Sequence, residues 1–462
     1  MTGFLLRDVT VAGRRTDVRL AEGIIAEIGP GLTGHGAEVV DGRGRDLIPG
    51  LHDHHLHLMA TAAAGTSVRV GPEEAEDPAG FAAVLRGADA RLPEGGWLRA
   101  VGYDESVAGP LDRDAIDAVV AGRPVRIQHR SGALWYLNGA ACREAGLDGG
   151  GLPPGAETDA AGRPNGRLWR EDAWLRDRLP AGPAPDLRGL GRRLALLGVT
   201  GVTDATPYER PADLLALAGA GLPQRVVATG GPALAGAVFP PGLGRGPVKV
   251  VVADHEPPPF EGLAAAIAAA HEAGRSVAVH CVTAAGLALT LAAGLRPGDR
   301  IEHGSVIPPE AVPVLARRGV TVVTQPGFVA AHGDRYLRET GPADRADLYR
   351  CGSLLAGGVA VAGSTDAPYG PCDPWRAMRA AAGRRTAGGR LLGGGERIGA
   401  RAALDLFLAP LDDPGGPPRT VRAGAPADLV LLAAPLAEVL ARPSAEAVAA
   451  VFAQGVLFAP GT

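Results

Sequence analysis

Apolar and polar stretches alternate regularly along the second half of the chain. Short apolar runs typical of buried strands are RSVAVHC, DRIEHGS, VTVVTQPG and VAVAGSTDAP. Longer segments rich in alanine and leucine predict helices, namely EGLAAAIAAAHEAG, AAGLALTLAAG, PPEAVPVLARRG and ADLYRCGSLLAGG. This alternation of strand and helix predicts βα units built on a parallel sheet.

The two ends of the chain show a different pattern. The N-terminal segments FLLRDVTVAG, TDVRLAEGIIAEIGPG and AEVVDGRGRDLIPG predict short strands separated by turns, with no helix between them. Near the C terminus, GAPADLVLLAAP and AVAAVFAQGVLFAP also predict strands. We expect residues 1–48 and 401–462 to pair into one small β-sandwich domain.

The fold class predicted for residues 49–400 is α/β, a (β/α)₈ TIM barrel. Polar residues stand at or near the C-terminal ends of the predicted strands, where such a barrel displays its active-site groups: His280, His303, Gln325 and Asp366. Residues 60–190 are less regular and rich in turns and aromatic residues, including Trp135. We expect barrel elements there plus a long insertion that covers a pocket.

The segment LIPGLHDHHLHLMA, residues 47–60, concentrates four of the eleven histidines. Successive side chains of a strand point to opposite faces, so Asp53, His55 and His57 are expected on one face and His52 and His54 on the other. Either His-x-His pair could grip a small cation, and parity alone leaves both pairs open.

Composition and charge narrow the class of partner. A net charge of −4 provides no basic surface for nucleic acid, so we expect a small, neutral or weakly charged substrate. The four cysteines are too scattered for a disulfide framework or a Cys-x-x-Cys zinc site. Without a leader peptide or a long apolar run, the sequence predicts a cytoplasmic protein with no membrane partner, and a homodimer stays open.

The motif PGLHDHHLH resembles the Pro-Gly-x-x-Asp-x-His-x-His signature of the amidohydrolase superfamily, with Pro49, Gly50 and Asp53 in register. The resemblance implies that His55 and His57 are the first-strand metal ligands and that His52 and His54 have no metal role. His280 in VAVHCVT, His303 in RIEHGS and Asp366 in GSTDAPYG are similar to the ligands of the fifth, sixth and eighth strands.

Within that superfamily, four segments resemble the family 3 branch that includes N-substituted formamide deformylase: GYDES, HRSGALWYLNGAA, GRPNGRL and GSTDAPYGPCDPW. The branch often has Gly-His where this chain has Gly132-Ala133, and His129 stands upstream as a positional substitute. We take His129, Trp135 and Gln325 as candidate substrate-binding residues.

The resemblance also implies a divalent metal, with zinc as the default and one or two ions per chain. In binuclear members a carboxylated fourth-strand lysine bridges the ions, and Lys249 in PVKVVV is placed for this. A lysine in an apolar strand is costly while charged, and carboxylation would make it an anionic ligand. There are two alternatives to a carboxylated lysine. Lys249 has only a structural role, or Glu171 supplies the carboxylate ligand.

The implied reaction is hydrolysis of a non-peptide amide, formamide or cyclic amide C–N bond by metal-activated hydroxide, with Asp366 as the general base. Single-metal deaminases of this superfamily commonly carry a glutamate three residues after the fifth-strand histidine. This chain has Thr283 there, which disfavours nucleobase deamination. The alternatives are a lactone or ester hydrolase and a non-hydrolytic barrel, either an isomerase or a binding protein.

Overall fold

The computed structural model describes residues 3–34, 36–179, 184–208, 210–253 and 257–459. The chain divides into two compact units. Unit 1 comprises Met1–Met59 and Leu187–Thr462, and unit 2 comprises Ala60–Asp186. The finer domain limits predicted from the sequence, at residues 48 and 400, stay predictions.

Parallel strands form the centre of unit 1. They are β1 (Leu51–Leu56), β2 (Val199–Asp204), β3 (Arg225–Ala228), β4 (Leu243–Arg245), β5 (Val248–Val251), β6 (Val277–Cys281), β7 (Arg300–His303), β8 (Thr321–Thr324) and β9 (Val361–Gly363). One sheet has the order β4-β3-β2-β1 and the other the order β5-β6-β7-β8-β9, with parallel pairing throughout. The strand predictions for the second half of the chain are confirmed.

Backbone hydrogen bonds join these two sheets at two places. Lys249 N of β5 donates to Gly230 O, which follows β3, at 2.8 Å. After β9, Asp366 N donates to His55 O of β1 at 2.8 Å. The architecture is a TIM-barrel-type α/β fold. The described strands form two sheets, so closure into one eight-stranded barrel stays a prediction.

Helices cover the parallel strands of unit 1 with apolar faces. In Phe260–Glu272, Leu263, Ile267 and Ala270 lie one helical turn apart and join the core formed by the strands. The helix Leu58–Ala64 begins in unit 1 and continues into unit 2. The other helices and 3₁₀ turns of unit 1 are Leu187–Leu196, Pro211–Ala218, Pro232–Leu234, Ala284–Ala292, Pro309–Ala311, Val312–Arg318, Gly327–Glu339, Pro342–Arg345, Gly352–Ala356, Pro374–Gly383, Gly394–Glu396, Ala400–Asp405, Leu436–Ala441 and Ala445–Ala447.

Two differences from the predicted helices lie between β8 and β9. Gly327–Glu339 is a helix that the sequence pattern did not predict. The predicted helix ADLYRCGSLLAGG is only partly formed, because the observed helix is Gly352–Ala356, in the second half of that segment. The preceding residues are drawn into other contacts, because Arg350 pairs with Glu396 at 2.7 Å and Cys351 N donates to the same carboxylate at 3.1 Å.

The two chain ends form two further four-stranded sheets in unit 1. One contains Gly3–Val11, Arg14–Ala21, Ile24–Gly29 and Ala37–Asp41, and the other contains Leu47–Pro49, Leu429–Leu432, Val448–Ala453 and Val456–Phe458. Leu47–Pro49 pairs antiparallel with Leu429–Leu432, so the predicted pairing of the two ends is confirmed. One apolar cluster includes Leu6, Leu47 and Phe452, from both sheets. That the two chain ends form a separate small domain stays a prediction.

Unit 2 is built on a six-stranded mixed sheet of its own. Its strands are Val68–Arg69, Leu98–Tyr103, Val125–His129, Leu134–Leu137, Ala156–Thr158 and Pro164–Trp169. Its helices are Pro78–Asp89, Glu105–Ala108, Arg113–Asp117, Gly139–Glu144, Leu147–Gly149 and Asp172–Arg176. The region predicted to combine barrel elements and an insertion therefore folds around its own sheet. Across the residues described in both units, no helix is long and apolar enough to cross a bilayer.

Candidate metal centre

The four-histidine segment forms β1, but its alternation is interrupted. Along the pairing with β2, Val202 faces Asp53 and Asp204 faces Leu56, so three steps of β1 match two of β2. An irregularity of this kind is a β-bulge, which re-aims the side chains that follow it. Asp53, expected beside His55, accepts a hydrogen bond from Thr365 N at 3.0 Å. The two His-x-His pairs nevertheless separate as parity predicts, since His55 and His57 both face Asp366 and the rings of His52 and His54 lie next to each other.

His55 and His57 meet at the carboxylate of Asp366. The Nε2 atoms of His55 and His57 lie 3.5 and 3.3 Å from Asp366 Oδ1. The Nδ1 atom of each ring faces another partner, Glu302 for His55 and Thr206 Oγ1, at 3.0 Å, for His57. Both rings therefore present Nε2 to the same carboxylate oxygen.

His303 and His280 extend this group from the neighbouring strands. His303 Nδ1 lies 3.6 Å from Asp366 Oδ2. The centroid of the His303 ring lies 4.8 Å from that of His55 and 4.5 Å from that of His280. The structure therefore brings the four histidines predicted as ligands into one row of adjacent rings beside Asp366.

The backbone is strained at two of these positions. His303 has a φ of 70° and Asp366 a φ of 53°, in the left-handed region that residues other than glycine rarely adopt. Such conformations persist where the surrounding structure holds them, and they cluster at functional sites. His303 ends β7, and Asp366 lies three residues after the end of β9, at the edge where the predicted ligands meet.

The donor set fits a divalent cation. Ligand atoms of His55, His303 and Asp366 lie within 4.8 Å of one another, and all three residues are buried. Within the described residues His55 Nε2 and Asp366 Oδ1 are buried and make no hydrogen bond, which is costly unless a ligand compensates. Burial is the main cause that lowers the pKa of His55 well below its ordinary value and the pKa of His303 to about 3. Both rings are therefore neutral at pH 7, the form that binds metals.

Lys249 lies in the same buried environment. Its side chain is 3% exposed, and Nζ has no hydrogen-bond partner in the described part of the chain. Burial lowers the pKa of its ammonium group, while the nearby carboxylates of Glu302 and Asp366 oppose this shift. The Lys249 amine is therefore buried near Glu302 and Asp366, and its role as a bridging ligand stays a prediction.

Gln325 occupies a buried position behind His303. Its Oε1 accepts a hydrogen bond from His303 Nδ1 at 2.9 Å, and its Nε2 donates to Ser364 Oγ at 2.9 Å. The residue is fully buried. A direct substrate contact would require one of these bonds to open, so the predicted substrate role of Gln325 stays a prediction.

The other predicted contact residues lie in unit 2 and have partners there. His129 Nε2 lies 3.1 Å from Glu105 Oε2, and Trp135 Nε1 donates to Asp172 at 2.8 Å. Glu171, the alternative carboxylate ligand, accepts a hydrogen bond from Gly155 N at 2.8 Å. The substrate contacts of His129 and Trp135 and the ligand role of Glu171 stay predictions.

His52 and His54 have surroundings of their own. His52 Nδ1 lies 2.9 Å from Ala409 O, and its ring packs on Gly201, where a Cβ atom would lie 2.5 Å from Cδ2. His54 is fully buried, and burial lowers its pKa to about 3. The rings of His52 and His54 lie next to each other, with centroids 6.1 Å apart, and the absence of a metal role for them stays a prediction.

The sequence did not identify the residues that contact the Nδ1 atoms of the predicted ligand rings. Glu302 contacts His55 Nδ1, and Thr206 contacts His57 Nδ1. The sequence did contain a signal for Glu302. Arg300 and Glu302 share one face of an otherwise apolar strand, and burying two charged side chains is costly unless they have partners. Thr206, in the loop after β2, carried no such signal.

Comparisons with known proteins agree with this geometry. A model of the amidohydrolase family matches residues 38–457. The Bacillus subtilis (strain 168) protein YtcJ, which carries the provisional name of an amidohydrolase, is 24% identical over 404 residues, covering 76% of this chain and 75% of that protein.

Two solved structures share the fold. An uncharacterized metal-dependent hydrolase from Pyrococcus horikoshii OT3 has a TM-score of 0.74 at 18% identity, covering 96% of this chain and 98% of its own. A triazine hydrolase from Arthobacter aurescens has a TM-score of 0.54 at 15% identity, covering 99% of this chain and 94% of its own.

The family match spans most of the chain and contains every residue of the candidate metal centre. The residues at that centre are neutral imidazoles and a carboxylate, which is the ligand chemistry of divalent transition metals. The chain therefore belongs to the amidohydrolase family, and it is a metal-dependent enzyme that hydrolyses carbon–nitrogen bonds other than peptide bonds.

Proposed function

We propose that the enzyme hydrolyses an amide, a formamide or a cyclic amide of a small molecule at the centre formed by His55, His57, His280, His303 and Asp366. The observation that carries the proposal is the buried group of His55, His303 and Asp366, whose ligand atoms lie within 4.8 Å of one another. Family membership leaves no reason to retain the non-hydrolytic alternative.

In the proposed reaction, Asp366 transfers the proton and the histidines would hold the metal ion. When bound, a divalent cation, with zinc as our first choice, would lower the pKa of water from ~15.7 towards ~7 and polarise the carbonyl. The Asp366 carboxylate accepts the proton that the attacking water loses and then donates it to the leaving nitrogen as the C–N bond breaks. The products are a carboxylic acid and an amine, and Asp366 returns to its ionised form.

Substrate specificity is tested with a panel of N-acyl amines, N-substituted formamides, hydantoins, triazines and lactones. The triazines are included because one structural neighbour is a triazine hydrolase. We expect kcat/KM to be highest for a member of the amide, formamide or cyclic amide group, measured by product release from the metal-loaded enzyme. Turnover of lactones alone would contradict the proposed C–N bond and favour the ester-hydrolase alternative.

We further propose that the Lys249 amine combines with carbon dioxide and loses a proton, and that the resulting carbamate would help to hold two ions. Its buried amine, without a hydrogen-bond partner among the described residues, supports this proposal. Bicarbonate added during reconstitution should then raise the metal content towards two ions per chain, measured by plasma mass spectrometry. Lys249→Ala should abolish this response.

Glu171→Gln serves as the matched control for the bridging ligand, since Glu171 is the alternative carboxylate. It should leave both the metal content and the bicarbonate response unchanged. A Lys249→Ala enzyme with full metal content and full rate would overturn the bridge, and loss of metal in Glu171→Gln would transfer the role to that residue.

A further inference from the structure

Glu302 lies behind His55 and belongs to a wholly buried ion pair. Its Oε2 atom contacts His55 Nδ1, and its Oε1 atom accepts a hydrogen bond from Arg300 Nε at 2.7 Å. Arg300 also donates through Nη2 to His54 O of β1 at 2.9 Å. The side chains of Arg300 and Glu302 are 3% and 0% exposed.

We propose that Glu302, anchored by Arg300, is a positioning residue that holds the His55 imidazole with Nε2 directed at Asp366. An ionised carboxylate can only accept hydrogen bonds, so His55 Nδ1 must carry the proton and Nε2 keeps its lone pair. Outer carboxylates of this kind orient metal-binding histidines and raise their basicity. The inference rests on the proposed metal centre, to which it adds the residue that sets one ligand's orientation.

The energetics of burial support a role beyond stability. Removing a carboxylate and a guanidinium from water costs several kcal/mol per ion in typical proteins, and an apolar pair of similar volume is often no less stable. Among the described residues, Glu302 contacts one further side chain besides Arg300, the ring of His55. We infer that the Arg300–Glu302 pair serves to orient the His55 ring.

The partners of the other two rings provide a contrast. His57 Nδ1 faces the hydroxyl of Thr206, and His303 Nδ1 faces the amide of Gln325. Both partners are neutral. The Thr206 hydroxyl can donate as well as accept, so it does not fix the tautomer of His57. The Gln325 amide donates through Nε2 to Ser364 Oγ and offers Oε1 to His303 Nδ1. Among these three contacts, that of Glu302 alone is made by a carboxylate, which is the stronger acceptor.

The test is metal affinity, measured by competition with a chromophoric chelator using Zn²⁺ alone. Glu302→Gln should weaken binding ~10–100-fold, the typical effect of losing such a partner. Glu396→Gln is the matched control, since Glu396 is buried and pairs with Arg350 at 2.7 Å but bonds to Cys351 and Ser353 instead of a candidate ligand. The control should melt at a lower temperature and bind Zn²⁺ as the parent does.

A double variant, Arg300→Met with Glu302→Gln, removes both charges and keeps the test valid where an unpaired Arg300 prevents folding. It should also bind Zn²⁺ more weakly than the parent. Parental affinity in the folded Glu302→Gln or double variant, with binding lost in His55→Ala, would overturn the positioning role and leave the metal centre intact. Parental affinity in His55→Ala would overturn the metal centre and this inference with it.

Discussion

Replacing Asp366 with asparagine is expected to lower kcat by ~10²–10⁴ or more, while KM changes far less. Asparagine has nearly the same shape but cannot take a proton from the attacking water or return it to the leaving nitrogen. The interaction is used mainly in the transition state, so the loss falls on kcat. Steady-state kinetics on the metal-loaded variant measure both constants, and metal analysis of the same sample shows whether the ion is retained.

Asp299→Asn is a suitable control for this experiment. Asp299 is also fully buried, but its carboxylate accepts hydrogen bonds from Val277 N at 2.9 Å and Arg296 N at 2.7 Å. We expect this variant to lose ~1–3 kcal/mol of stability with kcat nearly unchanged. A folded, metal-loaded Asp366→Asn enzyme with near-normal kcat would show that Asp366 is not the proton shuttle.

His55→Ala and His57→Ala are each expected to lose stoichiometric metal and, with it, activity. Each ring presents Nε2 to Asp366 Oδ1, at 3.5 Å for His55 and 3.3 Å for His57, so truncation removes a ligand atom from the centre. Plasma mass spectrometry of the purified variants measures the metal, and the substrate panel measures the activity. Added Zn²⁺ in excess should restore little activity, because the ligand itself is absent.

His52→Ala and His54→Ala are controls from the same strand. His52 faces Ala409 O and Gly201, and His54 has two buried ring nitrogens with no hydrogen bond in the described residues. Both variants should retain metal and activity, while melting temperatures shift because a buried ring is removed. Loss of metal in His52→Ala equal to that in His55→Ala would show that the wrong histidine pair has been chosen.

The local sequence determined the strands and most helices that carry the site. The apolar runs around His280, His303 and Asp366 were long enough to form strands, and the C-terminal ends of parallel strands meet at one edge of a sheet. Polar residues at those ends were therefore expected to come together, and their rings and carboxylate do so. The short strands at the two chain ends were also predicted from local patterns, and a strand from each end pairs in the structure.

The tertiary structure decided which side chains of β1 face the site and what holds them. The bulge in β1 depends on pairing with β2, which lies far away in the chain, and it sets a register that the local sequence does not contain. The Glu302 contact joins residues 247 positions apart, and Gln325 is buried behind His303. Strand propensity and side-chain period are local properties, whereas register, bulges and the partner of a buried charge depend on contacts that exist only after the sheets have assembled.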